Sequence, residues 1–304
     1  MHGVMSEAAV ALELFLRWLT QTRNAQFRIV DKRESGASAG SDGRTLAIEF
    51  RPLLGPTQDT AWLSARTQLE EQIAAAVPEG IALWVPAGAD LPAGEPAVSD
   101  FIAHVRDTAA SLGPHERAYV PLPIRLLLRK SSDSGGVVSV AGGLNPHWAR
   151  FTERVRGTFD LDSTQLHRLP ESEEHLEKLL EAIVARSSSL EAGRIAEIET
   201  VDSWTVQRVD VPGATVIGVP PREAQDSGLA VRRNVRRILE ESAPALRAAA
   251  ADLKALVLLG YYARMEDEGA TIAMRGFSPA LYTGLDSVCL VADGLVKPLI
   301  HSAW

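Results

Sequence analysis

Apolar residues recur along this chain with two different periods, and the switches between them mark out its elements. In residues 7–20, Ala11, Leu14, Phe15 and Trp18 fall three and four positions apart, which places them on one face of a helix. Glu13 and Arg17 stand four apart on its other side, within reach of each other. The period then drops to two. Residues 26–33 read as a strand. In residues 45–51, Leu46, Ile48 and Phe50 point one way while Ala47, Glu49 and Arg51 point the other. The stretch 35–43 between them is small and polar and reads as a flexible turn.

The same reading continues to the end. Trp62, Ala65, Leu69 and Ile73 form the stripe of a helix over 59–77, stopped by Pro78-Glu79-Gly80. The continuously apolar run 81–85 predicts a strand covered on both faces. After a Pro/Gly/Ala loop, Ser99 is the expected N-cap of a helix that ends at Gly113-Pro114. Residues 119–129 read as a strand that Pro121 and Pro123 assign to a sheet edge. A strand at 137–140 and a short helix after Asn145-Pro146 follow. The helix 172–190 carries Leu176, Leu179, Leu180, Ile183 and Val184. Three strands are expected at 194–201, 204–210 and 214–219. A long helix over 228–250 contains Pro244, where a kink is expected. A buried strand covers 254–262, and a hairpin closes the chain, 287–292 and 295–300, turned at Asp293-Gly294.

This alternation predicts an α/β protein with mixed sheets flanked by helices. Each half reads helix, strands, helix, buried strand and hairpin. The expectation is therefore two topologically similar halves, 1–160 and 161–304, the second a degenerate repeat of the first.

Composition narrows the class. At 304 residues and 46% hydrophobic, the chain has the material for a sizeable core. No apolar run approaches the roughly 18 residues of a membrane span. Met1–Glu7 lacks the basic segment of a signal peptide. The single cysteine, Cys289, rules out an intrachain disulfide and sits in an apolar run, as a buried hydrophobe does. These features fit a cytoplasmic location and a reducing environment. The excess of arginine over lysine and the abundance of alanine point to a GC-rich bacterial genome. A net charge of −8 opposes nucleic acid, so any such binding needs a local basic patch.

The acidic residues near the start carry the most chemistry. Glu49 and Arg51 share one face of a strand, after a strand bearing Asp31 and closely followed by Glu34. Metal-dependent phosphodiester cleavage needs carboxylates to hold a cation and a positive group beside them. The order helix, strands, helix, strand with this motif resembles, over residues 7–85, the PD-(D/E)XK nuclease superfamily, whose core is helix, three strands, helix, strand. The resemblance implies Mg²⁺ or Mn²⁺ held by Glu49 with Asp31 or Glu34, and Arg51 at the position of the family's lysine. It also sets Glu13 against the extra carboxylate that some members carry on the first helix. Two departures stand out: no Pro-Asp pair precedes the motif, and the lysine is arginine. Arginine stabilises phosphate charge but does not exchange a proton. A degenerate site that binds without cutting is therefore part of the expectation. Which acid meets Glu49 depends on strand register, and Asp42 in Ser41-Asp42-Gly43 is a third acid nearby.

One basic feature stands against the overall charge. Arg232, Arg233, Arg236 and Arg237 share a helical face and form a footprint for nucleic acid or phosphate. The other reading of that face is a solvated surface paired with Glu240 and Glu241. The seven histidines form no metal motif, and no Gly-x-Ser-x-Gly elbow or phosphate-binding glycine loop is present. A nuclease-like protein is thus the first functional reading, and a non-catalytic interaction or scaffold protein the second.

Overall fold

The computed structural model describes residues 6–33, 36–41, 43–55, 57–170, 172–224, 227–261 and 276–301. By internal packing the chain divides into two compact units, Met1–Ala118 with Thr205–Trp304, and Tyr119–Trp204. The fold is α/β, as expected, with two mixed sheets of six strands.

In the first unit, helix α1 (Glu7–Arg23) starts at Ser6, whose hydroxyl accepts from the Ala9 amide at 3.2 Å, and ends at Asn24 in the left-handed region. Strands β1 (Arg28–Arg33), β2 (Gly36–Ser41) and β3 (Arg44–Pro52) then form an antiparallel meander. Helix α2 (Thr60–Ala76), strand β4 (Gly80–Trp84) and helix α3 (Ala97–Ala110) follow. After the second unit, the chain returns with strand β9 (Ala214–Ile217), the short helix α6 (Pro221–Ala224) and helix α7 (Ser227–Ala248). Strands β10 (Leu253–Leu259), β11 (Ser287–Ala292) and β12 (Leu295–His301) complete it.

The first sheet has the order β1-β2-β3-β10-β11-β12. Strands β3, β10 and β11 are parallel to one another, and β12 closes the edge antiparallel. Both faces of its centre are covered. Phe15, Leu19 and neighbours of α1 pack on Leu46, Ile48, Ala255 and Val257. Val235, Ile238 and Leu239 of α7 pack on Leu256, Leu258 and Val288 from the other side. Burial on two faces is why residues 253–259 read as an unbroken apolar run.

The second unit carries strand β5 (Arg117–Ser132), which begins two residues earlier, strand β6 (Gly136–Gly142), helix α4 (Trp148–Thr152), strand β7 (Gly157–Ser163) and helix α5 (Glu173–Ser188). Strand β8 (Ile195–Val209) starts there and ends in the first unit, where Thr205–Val209 pairs with β4. The second sheet has the order β6-β7-β5-β8-β4-β9. Leu176, Leu180 and Ile183 of α5 pack on Leu126, Leu128, Phe159 and Leu161.

Four expectations change. Residues 36–41 form strand β2 rather than a loose turn, because Gly, Ala and Ser fit between two strands as well as they fit a turn. Residues 194–201 and 204–210 belong to one strand, β8. The order of β5 within its sheet is interior, yet β7 pairs only with Leu127–Ser132, so Pro121 and Pro123 keep an open side toward β7. The compact units do not follow a division at 160/161, which falls inside β7. The first sheet takes three strands from each end of the chain, with β10 beside β3.

Candidate functional site

Alternation along β3 sends Leu46 and Ile48 toward α1 and leaves Glu49 and Arg51 on the face covered by α7. There the two residues close on each other. Arg51 Nη2 lies 2.6 Å from Glu49 Oε1. Ser242 of α7, fully buried, donates its hydroxyl to the same Oε1 at 2.9 Å, and Arg51 Nε donates to Ser242 Oγ at 3.3 Å. The three side chains form a ring of charge-assisted bonds, and Glu49 and Arg51 line a cleft of about 660 Å³ together with Arg33, Ser38 and Thr45.

The strands beside Glu49 offer no second carboxylate. Gly36 of β2 and Leu256 of β10 stand opposite it. Gly36 is there for space: a Cβ would meet the Ile48 carbonyl oxygen at 2.4 Å. Asp31 lies on outer strand β1, opposite Ser38, which is opposite Ala47. It is thus two interstrand spacings of roughly 4.8 Å from β3, and offset along it from Glu49. Its carboxylate pairs with Arg33 at 3.2 Å on an exposed surface. Glu49 and Asp31 therefore do not share a cation. This corrects the expected metal pair, and its cause is register: β2 intervenes between the two acidic strands. Glu34 and Asp42 lie outside the described residues. Glu13 belongs to α1, on the face of the sheet away from Glu49, so it does not extend that site.

The arginines of α7 share an exposed face, as their spacing predicts, while Val231, Val235 and Ile238 point inward. They are partly compensated. Arg237 grips both oxygens of Glu241, at 3.0 and 2.9 Å, and Arg236 sits 3.6 Å from Glu240. The guanidinium groups of Arg232 and Arg236 lie over the Phe277 ring, at 4.8 and 5.7 Å from its centroid.

A second polar cluster escapes sequence reasoning. Glu13 of α1, His115 between α3 and β5, and Asp210 after β8 each bring one ligand-type atom within 4.8 Å of the others. His115 Nδ1 lies 3.2 Å from Glu13 Oε1, and its Nε2 lies 3.3 Å from Asp210 Oδ2. The Asp210 amide donates to Glu13 Oε1 at 2.9 Å. Burial pushes the Glu13 carboxyl above the usual carboxylate range, against the amide that lowers it. In sequence the three are scattered, and no local pattern joins a helix acid to a histidine in a distant loop.

No protein-family model, curated protein or solved structure matches this chain.

Proposed function

We propose that this chain is a nuclease-like protein that keeps the scaffold and has lost hydrolysis at Glu49, and that it binds a nucleic-acid backbone without cutting it. The element order α1, β1, β2, β3, α7, β10 around the first sheet supports the resemblance, with residues 53–226 as an insertion. The observation that carries the loss is the Glu49 ring itself. Its Oε1 is held by Arg51 and Ser242, and the adjacent strands place Gly36 and Leu256 opposite it. Metal-assisted hydrolysis needs a held cation and an oriented water, and one ion-paired carboxylate supplies neither.

The surface offered to phosphate is the α7 face. Its ion pairs to Glu240 and Glu241 are exposed, and such pairs contribute at most about 1 kcal/mol, so phosphate oxygens displace them readily. On a chain of charge −8 this binding is local and weakens steeply with salt. Supercoiled plasmid with Mg²⁺ or Mn²⁺ tests the first half. No nicking is expected beyond a buffer control. Nicking that disappears in Glu49→Gln overturns the reading. Fluorescence anisotropy of a labelled duplex tests the second half: binding should fall with added salt and in Arg233→Glu/Arg237→Glu.

A scaffold with a protein partner is the second reading. Strand β1 favours it, since it ends the sheet and exposes Ile29 and Val30 at 46% and 75%. Absence of duplex binding at low salt would move the weight there.

A further inference from the structure

The cluster of Glu13, His115 and Asp210 has no part in that reading, and its geometry points elsewhere. It lies in a cleft of about 880 Å³ whose apolar wall comes from Leu12, Leu16 and Phe27 and whose cations are Arg17, Arg28 and Lys32. Three separate elements bring the groups together, so their convergence is a product of the fold rather than of local sequence. His115 takes a left-handed backbone conformation, φ 64°, which costs a residue with a side chain about 1–2 kcal/mol. That conformation holds the ring between two carboxylates.

Two polar atoms in the same cleft are buried and have no hydrogen-bond partner among the described residues: Glu13 Oε2, an acceptor, and Arg17 Nη1, a donor. Leaving such atoms unsatisfied is costly. One is suited to a cation and the other to an anion.

We propose that Glu13, His115 and Asp210 bind a divalent transition-metal ion, and that Arg17 holds an oxyanion bound to that ion. One imidazole nitrogen and two carboxylates suit Mn²⁺ or Zn²⁺ better than the all-oxygen shells of Mg²⁺ or Ca²⁺. Metal bonds of about 2.0–2.2 Å set ligand atoms roughly 3–4 Å apart, so the three atoms, which lie within 4.8 Å of one another, draw together on binding. Nε2 of His115 is the ring ligand. Three protein ligands leave positions for the oxyanion.

Calorimetric titration with Mn²⁺ tests this on the full chain, comparing the native protein with His115→Gln, Asp210→Asn and Glu49→Gln. One ion per chain is expected, with affinity reduced at least about tenfold in His115→Gln and Asp210→Asn and unchanged in Glu49→Gln. Asp210 is largely exposed, so its variant keeps the fold, and a thermal melt verifies it. Inorganic phosphate should tighten Mn²⁺ binding in the native protein and not in Arg17→Gln. No uptake of Mn²⁺ or Zn²⁺, or uptake indifferent to His115 and Asp210, overturns the proposal and leaves the reading of Glu49 standing. Uptake lost only in Glu49→Gln overturns both. Phosphate without effect overturns the role of Arg17.

Discussion

Glu49 and Arg51, two residues apart on β3, close an ion pair of 2.6 Å over the buried hydroxyl of Ser242. The pair is half in water on the arginine side, so its own Coulomb energy is modest. The hydroxyl is the more demanding partner, because it is fully buried and bonds to both. Ser242→Ala removes two hydrogen bonds and leaves the ion pair, and should cost about 1 kcal/mol. Glu49→Ala takes the acceptor from both neighbours at once and should cost about 2 kcal/mol. Urea unfolding curves measure both. A Glu49→Ala variant as stable as the native protein would mean that the carboxylate is held against its own preference, as a site awaiting a cation would be.

The turn of the last hairpin makes a second prediction. Asp293 is buried, with φ 50°, next to Gly294 at φ 78°. Arg117 Nη1 donates to its carboxylate and to its carbonyl oxygen, both at 2.9 Å, and Thr205 donates its hydroxyl to the other carboxylate oxygen. Asp293→Asn keeps the backbone conformation, which asparagine also tolerates, but discharges the partner of Arg117. Asp293→Ala loses both. Removing one member of a buried pair costs about 3–5 kcal/mol. Asp293→Ala should therefore lower stability by about 3 kcal/mol in chemical denaturation, and Asp293→Asn by clearly less. Equal losses would assign the effect to packing rather than charge.

The boundary between what the sequence reveals and what it hides follows physical range. Helices α1, α2 and α5 and the Asp293-Gly294 hairpin were legible because periodicity, caps and turn residues act within a few positions. Strand β2 was not, since Gly36-Ala37-Ser38-Ala39-Gly40 has turn composition and becomes a strand only between β1 and β3. The break expected near 202 was also wrong. Asp202 is buried within β8 and accepts from the His167 and Arg168 amides, at 3.2 and 2.8 Å. A polar residue there marks a satisfied partner and not a turn. Glu49 and Arg51 on one face followed from alternation alone. That β10 lies beside β3 depends on pairing across about two hundred residues, and that Asp31 lies two strands away depends on β2 forming between β1 and β3. His115 meeting Glu13 depends on the same long-range placement.

The loss of stability toward acid pH and the decline just above 4.5 should respond to different carboxylates. Asp252 accepts from the Thr45 amide and hydroxyl, at 2.8 and 2.9 Å, and these bonds hold it below the usual aspartate range. A carboxyl lowered on folding contributes stability above its unfolded value of 3.8, lost as pH falls through the folded one. Glu7 has the opposite sign. Burial raises it above its unfolded value of 4.5, although Arg66 lies 2.6 Å away. Its contribution is fully present below 4.5 and declines as pH rises through the folded value. Asp252→Asn should therefore shrink the loss of stability toward acid pH, and Glu7→Gln should flatten the decline just above 4.5. Thermal midpoints from pH 3 to 7, roughly one unit apart, follow both. A Glu7→Gln curve parallel to the native one would contradict the raised carboxyl.

Cys289 offers the last test, because its chemistry depends on the core remaining closed. It sits in the centre of β11, fully buried and paired in register with Val257 of β10 and Pro298 of β12. Burial pushes its thiol up to about 12, with only the Ser287 hydroxyl, 3.1 Å away, favouring the thiolate. Thiolate, not thiol, is the nucleophile. At pH 8 the native protein should then react with a disulfide reagent only through opening of the first sheet, and stoichiometrically in denaturant. The rate of the native reaction reports that opening. The Asp293→Ala variant, which loosens the turn joining β11 to β12, should accelerate it if the hairpin opens locally. A rate unchanged in that variant, with global stability reduced, would show that Cys289 is guarded by β10 and the two helices rather than by the hairpin.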